Sequence, residues 1–182
     1  MRAFIAIDLP QDIKEALKAK EAVLKKCDLA VKWVEAKNIH LTLKFLGDIK
    51  EDAVTPIKET IKKVASEFSP VRVSLLNFGF FPNEKRPRVF FVATDKEDVL
   101  KPIASKLEER LEEFGFKKEG RFKSHITLGR FKDYRNMDCL KKQIKNTSLG
   151  EEFLIEGISF FKSTLTNSGP VYEKIAKIPL TK

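Results

Sequence analysis

Histidine, cysteine, methionine and tryptophan are scarce in this chain of 182 residues, which has two histidines, two cysteines, two methionines and one tryptophan. The cysteines, Cys27 and Cys139, form no C-x-x-C pair, and they are predicted to be buried free thiols rather than a disulfide. No apolar run approaches the roughly 18–20 residues that a membrane-spanning helix requires. The chain also lacks a G-x-x-x-x-G-K-[ST] loop, which argues against an ATP-dependent ligase.

Positive charge is in excess, since the formal net charge is +9 and the isoelectric point is about 9.5. This balance favours polyanionic partners. At the start of the chain, a short apolar segment is followed by Asp8 and Pro10, which predicts a strand rather than a signal peptide. We therefore expect a cytoplasmic protein with no membrane partner. Abundant Lys and Glu with little Cys and Met would also suit a heat-adapted protein.

Hydrophobic periodicity predicts strands and helices in an order that occurs twice. Strands are predicted over 4–9, 31–34, 39–46, 71–81, 89–94, 124–131, 153–165 and 171–178, and helices over 12–27, 51–68, 98–114 and 137–145. Matching features recur at a spacing of about 80–85 positions, which indicates an internal duplication.

The predicted fold class is α+β and bilobal: two similar lobes with largely antiparallel sheets and flanking helices around a central cleft. No linker separates the halves, so a single domain is predicted over 1–182. Its approximate repeats are 1–81 and 88–165, with a C-terminal strand over 170–179.

Both histidines open nearly the same tetrapeptide, His40-Leu41-Thr42-Leu43 and His125-Ile126-Thr127-Leu128. Because side chains alternate along a strand, each His shares a face with a Thr while the apolar residues pack into the core. A neutral imidazole can take a proton from water and a protonated one can give a proton to a leaving oxygen. The Thr hydroxyls can hydrogen-bond the non-bridging oxygens of a phosphate.

This chemistry predicts a bell-shaped pH dependence and requires no metal. Zinc would need three or four ligands, and neither histidine has a second ligand at a familiar spacing.

Further candidates flank the two motifs. Ideal alternation would place Arg130 on the face opposite His125, but a bulge at Gly129 would re-aim it toward a phosphate. The run Lys85-Arg86-Pro87-Arg88 could follow an RNA backbone, although such runs are more often solvated turns. Phe45 and Tyr172 could stack on a base, although aromatic residues of strands more often lie in a core.

These residues resemble the two-histidine phosphoesterase superfamily, and within it the RNA 2′,3′-cyclic phosphodiesterases, long called 2′-5′ RNA ligases. The resemblance covers essentially the whole chain. It includes Arg2-Ala3-Phe4-Ile5-Ala6-Ile7, the residues 40–47, Pro87-Arg88-Val89, the residues 125–130 and Gly169-Pro170-Val171-Tyr172.

The resemblance implies that both motifs line a central cleft and hydrolyse a terminal RNA 2′,3′-cyclic phosphate to a 2′-phosphomonoester, without metal or nucleotide cofactor. It implies that His40 donates a proton to the leaving 3′ oxygen and that His125 is the base toward water. Some members also join RNA ends through a 2′-5′ linkage. RNA ends, tRNA fragments among them, are the expected partners, and we expect a monomer.

Two other interpretations remain open. The same fold could act on a small cyclic nucleotide phosphate, on 2′-5′ oligoadenylate or on a 3′ oligo(U) tail. Alternatively, the chain could be a non-catalytic RNA-binding module, because Asn77-Phe78-Gly79-Phe80-Phe81 faintly resembles the aromatic strand of RNA-recognition domains. That match is poor, since Leu76 precedes it and Pro82 follows it.

Overall fold

The computed structural model describes residues 1–167 and 169–182, and within them the chain forms four α-helices and a nine-stranded sheet. The strands are β1 (Arg2–Asp8), β2 (Val31–Trp33), β3 (His40–Asp48), β4 (Val71–Phe81), β5 (Val89–Thr94), β6 (His125–Phe131), β7 (Glu152–Ile155), β8 (Gly157–Thr166) and β9 (Gly169–Pro179). The helices are α1 (Gln11–Lys25), α2 (Val54–Ala65), α3 (Glu97–Glu112) and α4 (Met137–Asn146). None of these helices is long and apolar enough to cross a membrane.

The strand order of the sheet is symmetric about its centre. It runs β7-β4-β5-β6-β3-β1-β8-β9, with β2 added on β6, and every pairing in the described residues is antiparallel. We call β3, β1, β8 and β9 the first lobe, and β6, β5, β4 and β7 the second lobe. The predicted bilobal α+β fold is thus confirmed, with the two histidine-bearing strands side by side at the centre.

Each lobe contains strands from both halves of the sequence. β8, from the second half, pairs with β1 in the first lobe, whereas β4, from the first half, pairs with β5 in the second lobe. The prediction of one strand over 153–165 is wrong, because β7 ends at Ile155 on β4 and β8 begins at Gly157 in the other lobe. A Cβ on Gly157 would lie 2.6 Å from the carbonyl oxygen of Ile178 in β9, so this close crossing requires a glycine.

The helices and one face of the sheet enclose the main hydrophobic core. Ile13 of α1, Ile61 of α2 and Leu107 of α3 belong to one buried cluster with apolar side chains of the strands. The four apolar residues of the two motifs are also buried in it, as predicted: Leu41, Leu43, Ile126 and Leu128. Each such side chain stabilises the fold by about 1.5–3 kcal/mol. The backbone that carries the histidines is therefore firmly anchored.

Cys27 and Cys139 form a disulfide bond, so the prediction of two free thiols is wrong. Cys27 follows the end of α1, Cys139 lies in the first turn of α4, and these two helices are in contact. Their Cα atoms are 5.7 Å apart, within the range that a disulfide spans. Nothing in the sequence indicates this contact, because the cysteines stand 112 positions apart.

Reduction of the Cys27–Cys139 bond is expected to lower the free energy of unfolding by about 2–5 kcal/mol, because the bond closes a long loop in the unfolded chain. Thermal unfolding with and without a thiol reductant measures this change. Cys139→Ser is the genetic counterpart, since Cys139 is exposed and its loss leaves no cavity in the core. Free thiols that titrate in the unfolded protein without any reductant would contradict the expectation.

Candidate active site

The two H-x-T-x motifs face each other across the seam between β3 and β6. These strands pair at Leu41 and Ile126, both fully buried on the core face. In an antiparallel pair, the neighbouring positions then oppose each other on the other face. Four partly exposed side chains therefore meet there, His40 beside Thr127 and Thr42 beside His125.

Both imidazoles are held by the same local hydrogen bond. Nδ1 of His40 lies 2.7 Å from the carbonyl oxygen of Asn38, and Nδ1 of His125 lies 2.7 Å from that of Lys123. A carbonyl oxygen can only accept, so Nδ1 is the donor in each ring and Nε2 is the nitrogen that gains or loses a proton. Nε2 of His40 lies 3.0 Å from Oγ1 of Thr42, which donates to it when the ring is neutral.

A pair of stacked phenylalanines supports each imidazole. In the first lobe Phe4 stacks on Phe161 and lies 4.8 Å from the His40 ring, centroid to centroid. In the second lobe Phe91 stacks on Phe81, which lies 4.9 Å from the His125 ring. Tyr172 adds a third aromatic contact to His40 at 5.5 Å. Both imidazoles are thus held in a largely apolar setting.

Burial sets the protonation state of both histidines. It lowers the pKa of His40 to about 4, because the charged imidazolium loses its hydration, although the Asn38 carbonyl and the Asp8 carboxylate act in the opposite direction. Burial also lowers the pKa of His125 below its ordinary value of 6.5. Both rings are therefore neutral at pH 7 in the free protein. A bound anion would raise both pKa values, because negative charge favours the imidazolium.

Asp8 is an acidic group whose charge acts on His40. It pairs with His40 in the register of β1 and β3, and accepts hydrogen bonds from Lys14 at 2.7 Å and Lys174 at 2.6 Å. Burial acts to raise the pKa of Asp8, but these two ammonium groups outweigh it, so the pKa lies below its ordinary value. Asp8 is thus a carboxylate at pH 7 and favours a proton on His40.

β-bulges turn two further side chains toward the seam. The register of β6 with β5 passes from Thr127 to Gly129 and skips Leu128. An extra residue reverses the alternation, so Arg130 lies on the face of His125. The sequence left two placements of Arg130 open, and this is the one that a bulge near Gly129 gives. β3 has the corresponding bulge, where its register with β1 skips Leu43. This places Phe45 at the position of the first lobe that matches Arg130 in the second.

A cavity of about 260 Å³ opens beside His40. Its wall contains six of the side chains that the sequence singles out: His40, Thr42, Phe45, Thr127, Arg130 and Tyr172. Trp33 and Asn38 also line this cavity, and neither carries a recognisable signal in the sequence. Trp33 reaches the cleft through the pairing of β2 with β6. Asn38 is held there by a hydrogen bond that its side-chain amide donates to the Pro170 carbonyl oxygen.

His125 lines a separate cavity of about 80 Å³, and Thr42 and Phe45 border both cavities. The basic run of residues 85–88 borders neither of them. In the part of the chain that the structure describes, no group of three or more His, Cys, Asp or Glu is placed to hold a metal ion.

The family model described as LigT like Phosphoesterase matches this chain twice, over residues 7–91 and 92–172. The chain belongs to the LigT-like phosphoesterase family. Each of the two matches to this family contains one H-x-T-x motif.

Named relatives of this LigT-like phosphoesterase cover nearly the full chain. This chain is 37% identical over 179 residues to the RNA 2′,3′-cyclic phosphodiesterase of Methanocaldococcus jannaschii, and the match covers 96% of this chain and 98% of that relative. This chain is also 31% identical over 175 residues to the protein of the same name from Methanothermobacter thermautotrophicus, and the match covers 94% of this chain and 95% of that relative. Among solved structures, TT0787 of Thermus thermophilus matches with a TM-score of 0.81 and 28% identity, over 100% of this chain and 98% of that one.

Gly129 lets β2 of this LigT-like phosphoesterase approach the bulge that directs Arg130. A Cβ there would lie 2.4 Å from Cγ1 of Val31 and 3.2 Å from the carbonyl oxygen of Lys32. Gly129→Ala is expected to cost about 1–3 kcal/mol of unfolding free energy through this overpacking. Denaturant unfolding measures it beside Gly150→Ala, where a Cβ meets nothing within 4 Å. Equal stability of the two variants would contradict the expectation.

Proposed function

We propose that this LigT-like phosphoesterase hydrolyses the terminal 2′,3′-cyclic phosphate of RNA to a 2′-phosphomonoester, using His40 and His125 without a metal or a nucleotide cofactor. The observation that supports it is the meeting of two imidazoles across the seam, each with Nδ1 bonded to a carbonyl and a Thr beside it. The names of the relatives point to the same reaction.

In the proposed reaction, Nε2 of His125 takes a proton from water as the water oxygen bonds to phosphorus. The bond between phosphorus and the 3′ oxygen breaks, and Nε2 of His40 gives that oxygen a proton. Thr42 and Thr127 donate hydrogen bonds to the non-bridging oxygens, and Arg130 balances their charge. The bound phosphate raises the pKa of His40, so that this ring carries the proton which it lacks in the free protein.

The cavity beside His40 is proposed to hold the terminal nucleoside. Phe45 is more than half exposed at the cavity wall, and Tyr172 borders the same space, so a base can stack on either ring. The net charge of +9 favours RNA over a free nucleotide, because a longer chain presents more phosphates. RNA ends, including tRNA fragments, are thus the proposed substrates.

We also propose that the protein acts as a monomer in the cytoplasm. Disulfides are rare in reducing compartments, but the intracellular proteins of hyperthermophiles are an exception. The disulfide between Cys27 and Cys139 therefore agrees with a composition rich in Lys and Glu and poor in Cys and Met, which would suit a heat-adapted protein.

The test is a short RNA that ends in a 2′,3′-cyclic phosphate, incubated with the protein in excess chelator. Conversion to a 2′-phosphate end is expected. A 3′-phosphate product, or activity only with added divalent metal, would overturn the proposal. Parallel assays with 2′,3′-cyclic AMP, 2′-5′ oligoadenylate and oligo(U)-tailed RNA test whether the protein performs the same chemistry on another substrate instead.

The alternative of a non-catalytic RNA-binding module is disfavoured by the packing of its aromatic strand. Phe78 is buried and stacks on Phe90 at 5.4 Å between ring centroids, and Phe80 stacks on the same ring at 5.4 Å. RNA-recognition domains need such rings free to stack on bases. The proposed catalytic cleft lies instead at the seam between the lobes.

A further inference from the structure

On the basis of the proposed function, we propose that Lys32 binds the internal phosphate of the RNA, the one that joins the terminal nucleotide to the rest of the strand. Lys32 is then a specificity-determining residue, because it favours an oligonucleotide end over a free cyclic nucleotide. The substrate class that follows is RNA of at least two nucleotides.

The cavity beside His40 lies where β2 takes the place of β3 along β6. Within the described residues, β3 and β6 pair only at Leu41 and Ile126, whereas β2 pairs with β6 from Gly129 to Phe131. Residues of these three strands and of β9 line the cavity. Its volume of about 260 Å³ is below the roughly 300–1,000 Å³ of pockets that enclose drug-sized ligands. It therefore holds one nucleoside, and the rest of an RNA strand must cross its rim.

Two cations face each other at this rim. Lys32 of β2 lies directly opposite Arg130 of β6 in the register of the two strands, so both side chains leave the same face of the sheet. Both are exposed and both border the cavity. Among the described residues that line the cavity, these are the only lysine and the only arginine.

Neither of these two cations forms an ion pair within residues 1–167 and 169–182. Like charges directly opposite each other on neighbouring strands are destabilising. An anion that binds beside both relieves this repulsion. At the rim of the proposed active site, the phosphates of the RNA are the anions available to do so.

The carboxylates nearest in sequence to the two cations have other partners. Glu35 follows Lys32 by three residues and is paired with Lys37 at 2.8 Å. Asp133 follows Arg130 by three residues and is paired with its own neighbour Arg135 at 3.1 Å. Because these carboxylates are already paired, the positive charge at the rim is left for a ligand.

The order of side chains along β6 assigns one phosphate to each cation. His125, Thr127 and Arg130 face the seam in that order, and Lys32 lies beside the last of them. The reacting phosphate lies between the two histidines, and Arg130 balances its charge in the proposed reaction. Lys32 remains for the next phosphate of the strand. An ammonium on a flexible stem reads charge and not base identity, so the preference depends on length rather than on sequence.

Backbone hydrogen bonds fix β2 on both sides of Lys32. The Val34 N–H donates to the Leu128 carbonyl oxygen at 2.8 Å, and the Lys132 N–H donates to the Ala30 carbonyl oxygen at 2.7 Å. The disulfide at the end of α1 restrains the segment that leads into β2. The stem of Lys32 is thus placed at the rim before RNA binds, which reduces the entropy lost on binding.

The test compares two substrates with the same reacting end, a nucleoside 2′,3′-cyclic phosphate and a dinucleotide that ends in that same group. Wild-type protein should have the higher kcat/KM on the dinucleotide. In Lys32→Gln the ratio of the two kcat/KM values should fall about tenfold, the contribution of one charge-assisted hydrogen bond, and Lys32→Arg should preserve most of it. The matched control is Lys26→Gln, which removes the same charge from an exposed position that borders neither cavity of the seam and should keep the wild-type ratio.

Salt dependence and a neutral analogue report the charge of the contact. One phosphate contact to a single strand adds about 0.7 to the slope of log kcat/KM against log salt. The slope for the dinucleotide should exceed that for the mononucleotide by this amount, and Lys32→Gln should remove the difference. A dinucleotide with an uncharged methylphosphonate as its internal linkage should behave as the mononucleotide does.

Thermal unfolding of the free protein separates binding from a structural role. Lys32→Gln removes one of two opposed like charges, so its unfolding midpoint should be equal to that of wild type or higher. A lower midpoint would show that Lys32 stabilises the fold and would count against the inference.

The kinetic outcomes distinguish this inference from the proposed function. If wild-type protein hydrolyses both substrates with equal kcat/KM, or if Lys32→Gln lowers both equally, the inference is overturned while the proposed function stands. It is also overturned if the methylphosphonate dinucleotide keeps the full advantage, because the second nucleoside then binds through its base or sugar. If neither substrate is hydrolysed, both proposals fall.

Discussion

His125→Ala and His40→Ala are each expected to slow hydrolysis of an RNA 2′,3′-cyclic phosphate by about 10²–10⁴-fold, the usual contribution of one general acid or base. The rings act on the same transition state, so the double variant should lose less than the product of the two single losses. Both imidazoles are partly exposed, and the strands are anchored by Leu41 and Ile126, so the fold should survive.

The turnover number at saturating RNA measures the effect, and thermal unfolding verifies that each variant is folded. Phe114→Ala is a matched control, because it removes a ring that is 48% exposed and borders neither cavity of the seam. If either histidine variant retained wild-type turnover, the two-histidine mechanism would be excluded.

A substrate with an activated leaving group separates the acid from the base. A nitrophenolate leaves without needing a proton, so loss of the general acid matters less for a nitrophenyl phosphodiester than for a cyclic phosphate. His40→Ala should therefore retain more of its activity on that substrate than His125→Ala does. The reverse pattern would exchange the roles of the two histidines.

The second large effect is an acidic optimum for kcat/KM. This parameter reports the free protein, in which the pKa of His40 is about 4 and that of His125 is also below 6.5. The productive form has a proton on His40 and none on His125, and the coupled pair titrates with two apparent values. The rate should rise with pH through the lower value and fall above the upper one, so the maximum lies below pH 6.5.

The turnover number should respond to pH differently. The turnover number reports the complex of protein and substrate, in which the negative phosphate raises the pKa values of both histidines. The bell-shaped pH profile of the turnover number should therefore lie at higher pH than the profile of kcat/KM. The chain has only two histidines, so an NMR titration of imidazole protons shows just their two sets of signals. Inorganic phosphate should move both titration curves to higher pH. A rate that rises monotonically with pH and needs divalent metal would contradict the mechanism.

Local features of the site could be predicted from the sequence. The bounds of β4 and β5 match the prediction, and the motif residues Leu41 and Ile126 are buried as expected. Such features depend on the alternation of side chains over a few neighbouring positions, and short-range geometry decides them. The family was indicated by a resemblance of the paired H-x-T-x motifs and their flanking residues to known members, and the match to the family model confirms it.

Other features depend on contacts between distant segments. The disulfide joins cysteines 112 positions apart, and the chain changes lobes between Ile155 and Gly157, in the middle of an apolar stretch that reads as one strand. Several apolar strands of this chain could pair with one another equally well by pattern alone. Only the packing of the whole chain selects the partners.

By itself, the sequence singled out the residues that we propose to carry the chemistry: two histidines, two threonines and the strands that present them. The tertiary structure decided how they work together. It set β3 against β6, so that each His opposes the Thr of the other motif, and it gave each histidine its own cavity. It also buried both rings deeply enough to lower their pKa values, because the loss of hydration depends on every segment packed around them.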